Sequence, residues 1–222
     1  MKSGWAALGE NGHQHGEGVV ELDKATQVAL SVQLAGTAAL VEKYPTIAAA
    51  EAAGYRRQGR FNPGLGTHYG GGGRGEVIVG VTGEAMVPTL IYDGTDPDSP
   101  IAGFMYYAPG SVDQVPEGFI GPNDHWHEHT SLCIVMKEGV VTTPLGSDDP
   151  DATKVKCDEI RGMWIERSGY MVHVWTVPGY ESADGVFSGL NRKLTCPDGT
   201  YHRAPEGGGT ATSVCASADL AS

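Results

Sequence analysis

The feature that most constrains this chain is a series of short apolar runs separated by turn signals. Gly, Pro and Asp mark the turns, and the runs cover residues 76–81, 85–92, 101–108, 125–136, 163–166 and 170–177. Runs of this length between such turns are typical of β-strands. Most links are too short for the crossover that joins parallel strands, which needs about a dozen residues. The pattern therefore predicts a mainly antiparallel sheet.

A helical pattern precedes the strands. From Leu22 to Glu42 apolar residues recur at the three- and four-residue spacing of one helix face. Pro45 ends this segment, and a second, shorter helix is predicted over residues 46–53, with Gly54 where a left-handed cap is favoured. Helices followed by antiparallel strands indicate an α+β fold. We expect the N-terminal helices to pack on the sheet and Gly- and Pro-rich loops to join the strands, since the chain has 33 Gly and 13 Pro.

Length and charge limit the organisation and the partners. The chain of 222 residues suits a single core, which we assign to residues 19–206, with flexible segments at 1–18 and 207–222. A net charge of −12 makes nucleic acid and anionic membrane surfaces poor partners. Since no apolar run reaches the length of a membrane span, no membrane insertion is expected. The oligomeric state stays open.

Four cysteines bear on the cellular compartment: Cys133, Cys157, Cys196 and Cys215. None forms a CxxC pair, so a zinc ribbon is not indicated. Two disulfides in an oxidising compartment are one interpretation and buried or free thiols are the other, with three pairings open. The Gly-rich polar start is typical of a mature N-terminus after removal of a leader. We therefore expect a secreted or periplasmic protein.

The segment His125-Trp126-His127-Glu128-His129 carries three alternating imidazoles. In an extended strand His125, His127 and His129 would share one face. Imidazole is the commonest nitrogen ligand of zinc, copper and iron, and a shared ion would offset the desolvation of crowded rings. The segment therefore predicts a metal site. The alternative is a set of histidines that merely pack or stay exposed.

Three further residues complete the predicted site. His173 lies in an apolar strand and His68 lies in a Gly-rich loop, so both are candidate metal ligands from outside the segment. Glu166 is the candidate general acid or base, although an ion pair with a neighbouring arginine explains it equally well. A site of several imidazoles suits copper or zinc, and iron if a carboxylate joins it.

The stretch 121–129 resembles the first metal motif of the cupins, in which two histidines one residue apart lie on a β-barrel strand. This chain departs from that motif, since Leu132, Cys133 and Ile134 stand where the motif has a glutamate ligand. His173 precedes Pro178-Gly179, whereas the second cupin motif has its histidine after such a turn. We treat the likeness as convergent strand chemistry and carry over no family function.

These observations lead to two expectations about function. The first is a metal-dependent enzyme, using one copper, zinc or iron ion, that acts on a small-molecule substrate, with oxidoreductase chemistry preferred over hydrolysis. The second is a non-catalytic copper- or zinc-binding protein for storage, buffering or delivery. The sequence gives neither the substrate nor the reaction.

Overall fold

The computed structural model describes residues 19–72, 78–81, 83, 85–108, 115–137, 140–145 and 152–196. The two segments predicted to be flexible, residues 1–18 and 207–222, lie outside these ranges, and so does Cys215. Part of the assigned domain, including residues 197–206, lies outside them as well. No helix in the described part of the chain is long and apolar enough to cross a membrane.

Four helices are present in the described residues: α1 (Lys24–Leu34), α2 (Gly36–Lys43), α3 (Ile47–Ala52) and α4 (Lys154–Glu159). The carboxylate of Asp23 caps α1 by accepting hydrogen bonds from the backbone N–H groups of Ala25 and Thr26. The single helix predicted over residues 22–42 is two helices, which meet where Gly36 lowers the helix propensity. The second predicted helix is confirmed as α3, followed by Gly54 at φ +93°.

Within the described ranges nine strands form one sheet: β1 (Arg56–Asn62), β2 (Gly66–Gly70), β3 (Ile78–Val79), β4 (Ala85–Tyr92), β5 (Ile101–Ala108), β6 (Thr130–Lys137), β7 (Val140–Leu145), β8 (Met163–Arg167) and β9 (Tyr170–Val174). Their order is β8-β6-β7-β1-β2-β4-β5-β9, with β3 attached to β4. The pairing of β1 with β7 is parallel, and the other strand pairs described are antiparallel. The predicted α+β fold with a mainly antiparallel sheet is confirmed.

The two ends of this strand order meet. Only Ser168 and Gly169 separate β8, which pairs with β6, from β9, which pairs with β5. His127, just ahead of β6, exchanges two backbone hydrogen bonds with Met171 of β9, at 2.9 and 2.7 Å. The strand pairings therefore form a closed circuit, and the sheet curves back on itself.

The two faces of the curved sheet carry different cores. One face holds Leu90, Phe104 and Val174, which lie in cross-strand register and pack with buried residues of α1, α2 and α3. The other face holds Thr89, Met105 and His173, which also lie in register. A second apolar core covers this face and consists of Phe61, Ile91, Ala102, Met105, Met171, Trp175, Leu194 and Cys196.

A disulfide fastens α4 to the sheet. Cys133 of β6 and Cys157 of α4 are fully buried and joined by a bond of 2.02 Å, and Cys196 is disulfide-bonded as well. The prediction of disulfides is confirmed for these three cysteines. Gly162 lies against the bridge, so that a Cβ atom there would clash with the Cys133 sulfur.

Candidate functional site

Four imidazoles meet on the face of the sheet opposite the helices: His68 on β2, His173 on β9, and His127 and His129 just ahead of β6. The ring centroids are 5.8 Å apart between His68 and His173, 5.4 Å between His127 and His173, and 5.5 Å between His127 and His129. We call these four residues the imidazole group. They come from three segments that are distant in the sequence.

The curvature of the sheet brings these rings together. In the strand order β4 and β5 separate His68 on β2 from His173 on β9. Three steps across a flat sheet would span about 14 Å, since neighbouring strands lie about 4.8 Å apart. The observed centroid distance of 5.8 Å requires a strongly curved sheet with both rings on its concave side. The second apolar core and the imidazole group therefore share the concave face.

Burial keeps two rings of the imidazole group neutral. Desolvation lowers the pKa of His68 from 6.5 to about 4. Burial also lowers the pKa of His129 from 6.5 to about 4. The positive charge that His68 carries when it is protonated lowers the pKa of His129 further. Burial disfavours the imidazolium form because its charge loses hydration. At neutral pH each of these two rings therefore offers one N–H donor and one lone pair.

Aromatic and hydroxyl groups surround the imidazole group. The indole of Trp175 stacks on His173, with a centroid distance of 5.7 Å and an angle of 9° between the rings. Burial raises the pKa of Tyr107, whose hydroxyl shares a hydrogen bond with Ser168. The Ser168 hydroxyl in turn accepts a hydrogen bond of 2.9 Å from the backbone N–H of His129. Sequence reasoning missed Ser168, because only the meeting of β8 and β9 with residues 127–129 brings it to this place.

His125 lies elsewhere, and the prediction that His125, His127 and His129 share one strand face is wrong. Residues 125–129 lie outside β6, which begins at Thr130. A tight hydrogen bond of 3.0 Å from the Trp126 N–H to the Asp124 carbonyl turns the chain at His125. His125 instead lines a pocket beside α1. Burial lowers its pKa as well.

The carboxylates near the segment have their own partners. The buried Asp124 carboxylate accepts hydrogen bonds from the backbone N–H of Phe119 at 3.0 Å and from the Trp126 indole at 2.8 Å. The Glu128 carboxylate forms a bidentate ion pair with the Arg167 guanidinium, and the shortest N···O distance is 2.7 Å. Glu166 is an exposed residue of β8, and its role as a general acid or base stays a prediction.

The prediction of a metal-binding histidine cluster for copper or zinc, with oxidoreductase chemistry, is wrong for the described residues. No group of three or more His, Cys, Asp or Glu side chains in those ranges could hold a metal ion. Zinc needs ring nitrogens that converge on one point at about 2.0–2.1 Å. The rings of His127 and His173 instead stack at 23°, so that they turn their faces toward each other. The wider expectations about function and about one transition-metal ion are not tested by this finding and stay predictions.

Comparison of the chain with protein-family models, with curated proteins and with solved structures gives no match. The geometry of the imidazole group and its surroundings is therefore the guide to function.

Proposed function

We propose that the concave face of the sheet is the active site of an enzyme that moves a proton on a small oxygen-containing molecule. The observation that carries this proposal is the convergence of four imidazoles from three distant segments, at centroid distances of 5.4 to 5.8 Å. Several convergent polar rings on a face that is otherwise apolar are the usual composition of a small-molecule site.

Neutral imidazoles suit this chemistry. A neutral ring can donate its N–H to a carbonyl or hydroxyl oxygen and stabilise the negative charge that develops there. A second ring can accept a proton through its lone pair. Burial lowers the pKa of His68 and of His129 to about 4, which suits the donor role, because a ring of such low pKa is neutral and a weak base at neutral pH. Both rings stay neutral over the whole physiological pH range.

The surroundings favour a substrate with a polar end and an apolar part. Met105, Met171 and Trp175 belong to the apolar core on the same face, and the Trp175 indole extends the ring stack that begins at His127 and His173. Apolar surface combined with a few convergent polar groups is the usual composition of a small-molecule site. The proposed substrate is therefore a small, partly apolar carbonyl or hydroxyl compound.

We also propose that the enzyme works in an oxidising compartment outside the cytosol. The disulfide between Cys133 and Cys157 supports this location, because such bonds persist in secreted and periplasmic proteins and are rare in the cytosol.

The test begins with a thermal-shift screen of small carbonyl and hydroxyl compounds on the full chain, with and without a chelator. We expect some of these compounds to raise the unfolding temperature of the wild-type protein. They should do the same for His125→Asn, since His125 lines a different pocket. The same compounds should have no effect on His68→Asn or His129→Asn. NMR of a bound compound in heavy water then reports whether the protein exchanges one of its carbon-bound hydrogens.

The two stages separate binding from catalysis. Stabilisation that His68→Asn and His125→Asn reduce equally would remove the proposed site. Binding that depends on the imidazole group, but without hydrogen exchange or product, would leave a binding protein and no enzyme. Stabilisation that the chelator abolishes would show that an ion, rather than the imidazoles alone, holds the ligand.

A further inference from the structure

A pocket of about 320 Å³ lies beside α1, apart from the imidazole group. Its apolar lining residues are Val19, Leu22, Leu30, Val186 and Phe187, together with Val20. We call this the α1 pocket. Its volume is at the lower end of the range for small-molecule sites, about 300–1,000 Å³. An apolar body of modest size would fill it.

Hydrogen bonds hold the wall of the α1 pocket in place. The side chain of the buried Asn123 accepts from the Val20 N–H at 2.9 Å and donates to the Val20 carbonyl at 2.9 Å. The Gln27 side chain donates to the Leu22 carbonyl at 2.7 Å. Because these bonds fix the chain ahead of α1, a ligand would enter a preformed site and would order little of the protein.

The charges at the α1 pocket have one sign. Its charged lining residues are Glu21 and Asp184, and no Lys or Arg is among the described residues that line it. Asp184 has an exposed ion pair with Arg192 at 3.1 Å, and Glu21 is exposed at the pocket. The chain as a whole carries a net charge of −12. An apolar anion such as a fatty acid would meet repulsion here, whereas an apolar cation would be attracted.

We propose that the α1 pocket binds a small hydrophobic amine. Its apolar body packs against Val19, Leu22 and Phe187, and its ammonium group lies at Glu21. This site is separate from the imidazole group, so it does not depend on the function proposed above.

Three probes of equal chain length test the proposal: n-octylamine, n-octanol and n-octanoate, each titrated calorimetrically into the full chain at neutral pH. We expect one site that binds the amine most tightly and the carboxylate most weakly. Glu21→Gln should weaken amine binding about two- to fivefold, the range for an exposed ion pair, and leave octanol unchanged. Val19→Lys should weaken the amine further and strengthen the carboxylate.

The control is Val155→Lys, which adds the same charge at an exposed valine of α4, away from the pocket lining. Thermal unfolding of each variant shows that it is folded. Equal affinity for the three probes, or no binding of the amine, overturns the proposal. So does an equal effect of Val19→Lys and Val155→Lys, or loss of amine binding in His68→Asn, which would move the site to the imidazole group.

Discussion

At the residue scale, the histidines that the structure describes divide into two environments that their spacing does not reveal. His68, His127, His129 and His173 meet on the concave face, whereas His125 lines the α1 pocket. Histidine is a chemically important residue type. Its spacing in residues 125–129 predicts the directions of the side chains only if that segment is a regular strand. A single tight turn at His125 overturns that expectation, because the turn signal that ends at Asp124 extends one residue into the segment.

The lowered pKa values predict an acid-sensitive fold. Unfolded imidazoles take up protons near pH 6.5, whereas His68 and His129 do so near pH 4 in the folded state. Between these pH values the unfolded chain binds more protons than the folded protein does. The unfolded population therefore rises as the pH falls. We expect the free energy of unfolding to be flat above about pH 7 and to decrease from about pH 6.5 to 4. Urea denaturation at several pH values measures this free energy of unfolding.

The double variant His68→Asn, His129→Asn is the reference for this titration. It should lose less stability than the wild type over the same acid range, because two of the groups that take up protons on unfolding are gone. Identical pH dependences for the two proteins would contradict the assignment of these groups as buried and neutral.

Gly103 on β5 gives a second prediction at this scale. A Cβ atom there would come within 2.5 Å of the Trp175 ring, the indole that stacks on His173. We expect Gly103→Ala to lower the free energy of unfolding by about 1–3 kcal/mol through overpacking. Gly36→Ala is the control, since its Cβ would meet atoms only at 4.0 Å and alanine favours the helix. Chemical denaturation that gives equal values for the two variants would contradict this packing.

At the element scale, the apolar pattern predicts the interior strands well and the others poorly. The predicted bounds of β4 and β5 are those observed, because both strands are apolar runs between clear turns. The pattern predicts a loop where β2 lies, since β2 contains two glycines, and predicts no strand where the polar β1 lies. Cross-strand pairing with β4 and β7 makes them strands, and pairing partners are not visible in a local pattern.

The disulfide gives the prediction at this scale. Cys133 and Cys157 are separated by 24 residues. Closing such a loop lowers the entropy of the unfolded chain and raises its free energy by about 3 kcal/mol. The double variant Cys133→Ala, Cys157→Ala should lose about that much stability in urea denaturation. Val155→Ala, an exposed change on the same helix, should have almost no effect. A double variant as stable as the wild type would mean that the bridge does not constrain the unfolded chain.

At the scale of the whole molecule, closure of the sheet creates the candidate site. Composition and turn signals predicted the fold class, but not that the strand order returns to its start. That closure depends on the pairing of His127 with Met171, which an α+β pattern does not specify. The imidazole group could therefore be nominated from the sequence only as a collection of histidines, without its geometry.

Hydrogen exchange tests the closure. The amides of His127 and Met171 donate to each other's carbonyls at 2.9 and 2.7 Å. We expect both amides to exchange as slowly as those in the middle of β5, because opening them requires opening the circuit. NMR-detected exchange measures them individually. Rates typical of exposed loops at these two positions would mean that the sheet is open in solution.

The wide spacing of the three segments that supply the imidazole group also has a consequence during synthesis. His68 leaves the ribosome long before His173, and contacts between such remote positions form late in folding. A nascent chain therefore carries its imidazoles apart until the last strand of the circuit has been made. The imidazole group therefore assembles only after β9 has been made, and any truncation ahead of β9 abolishes it.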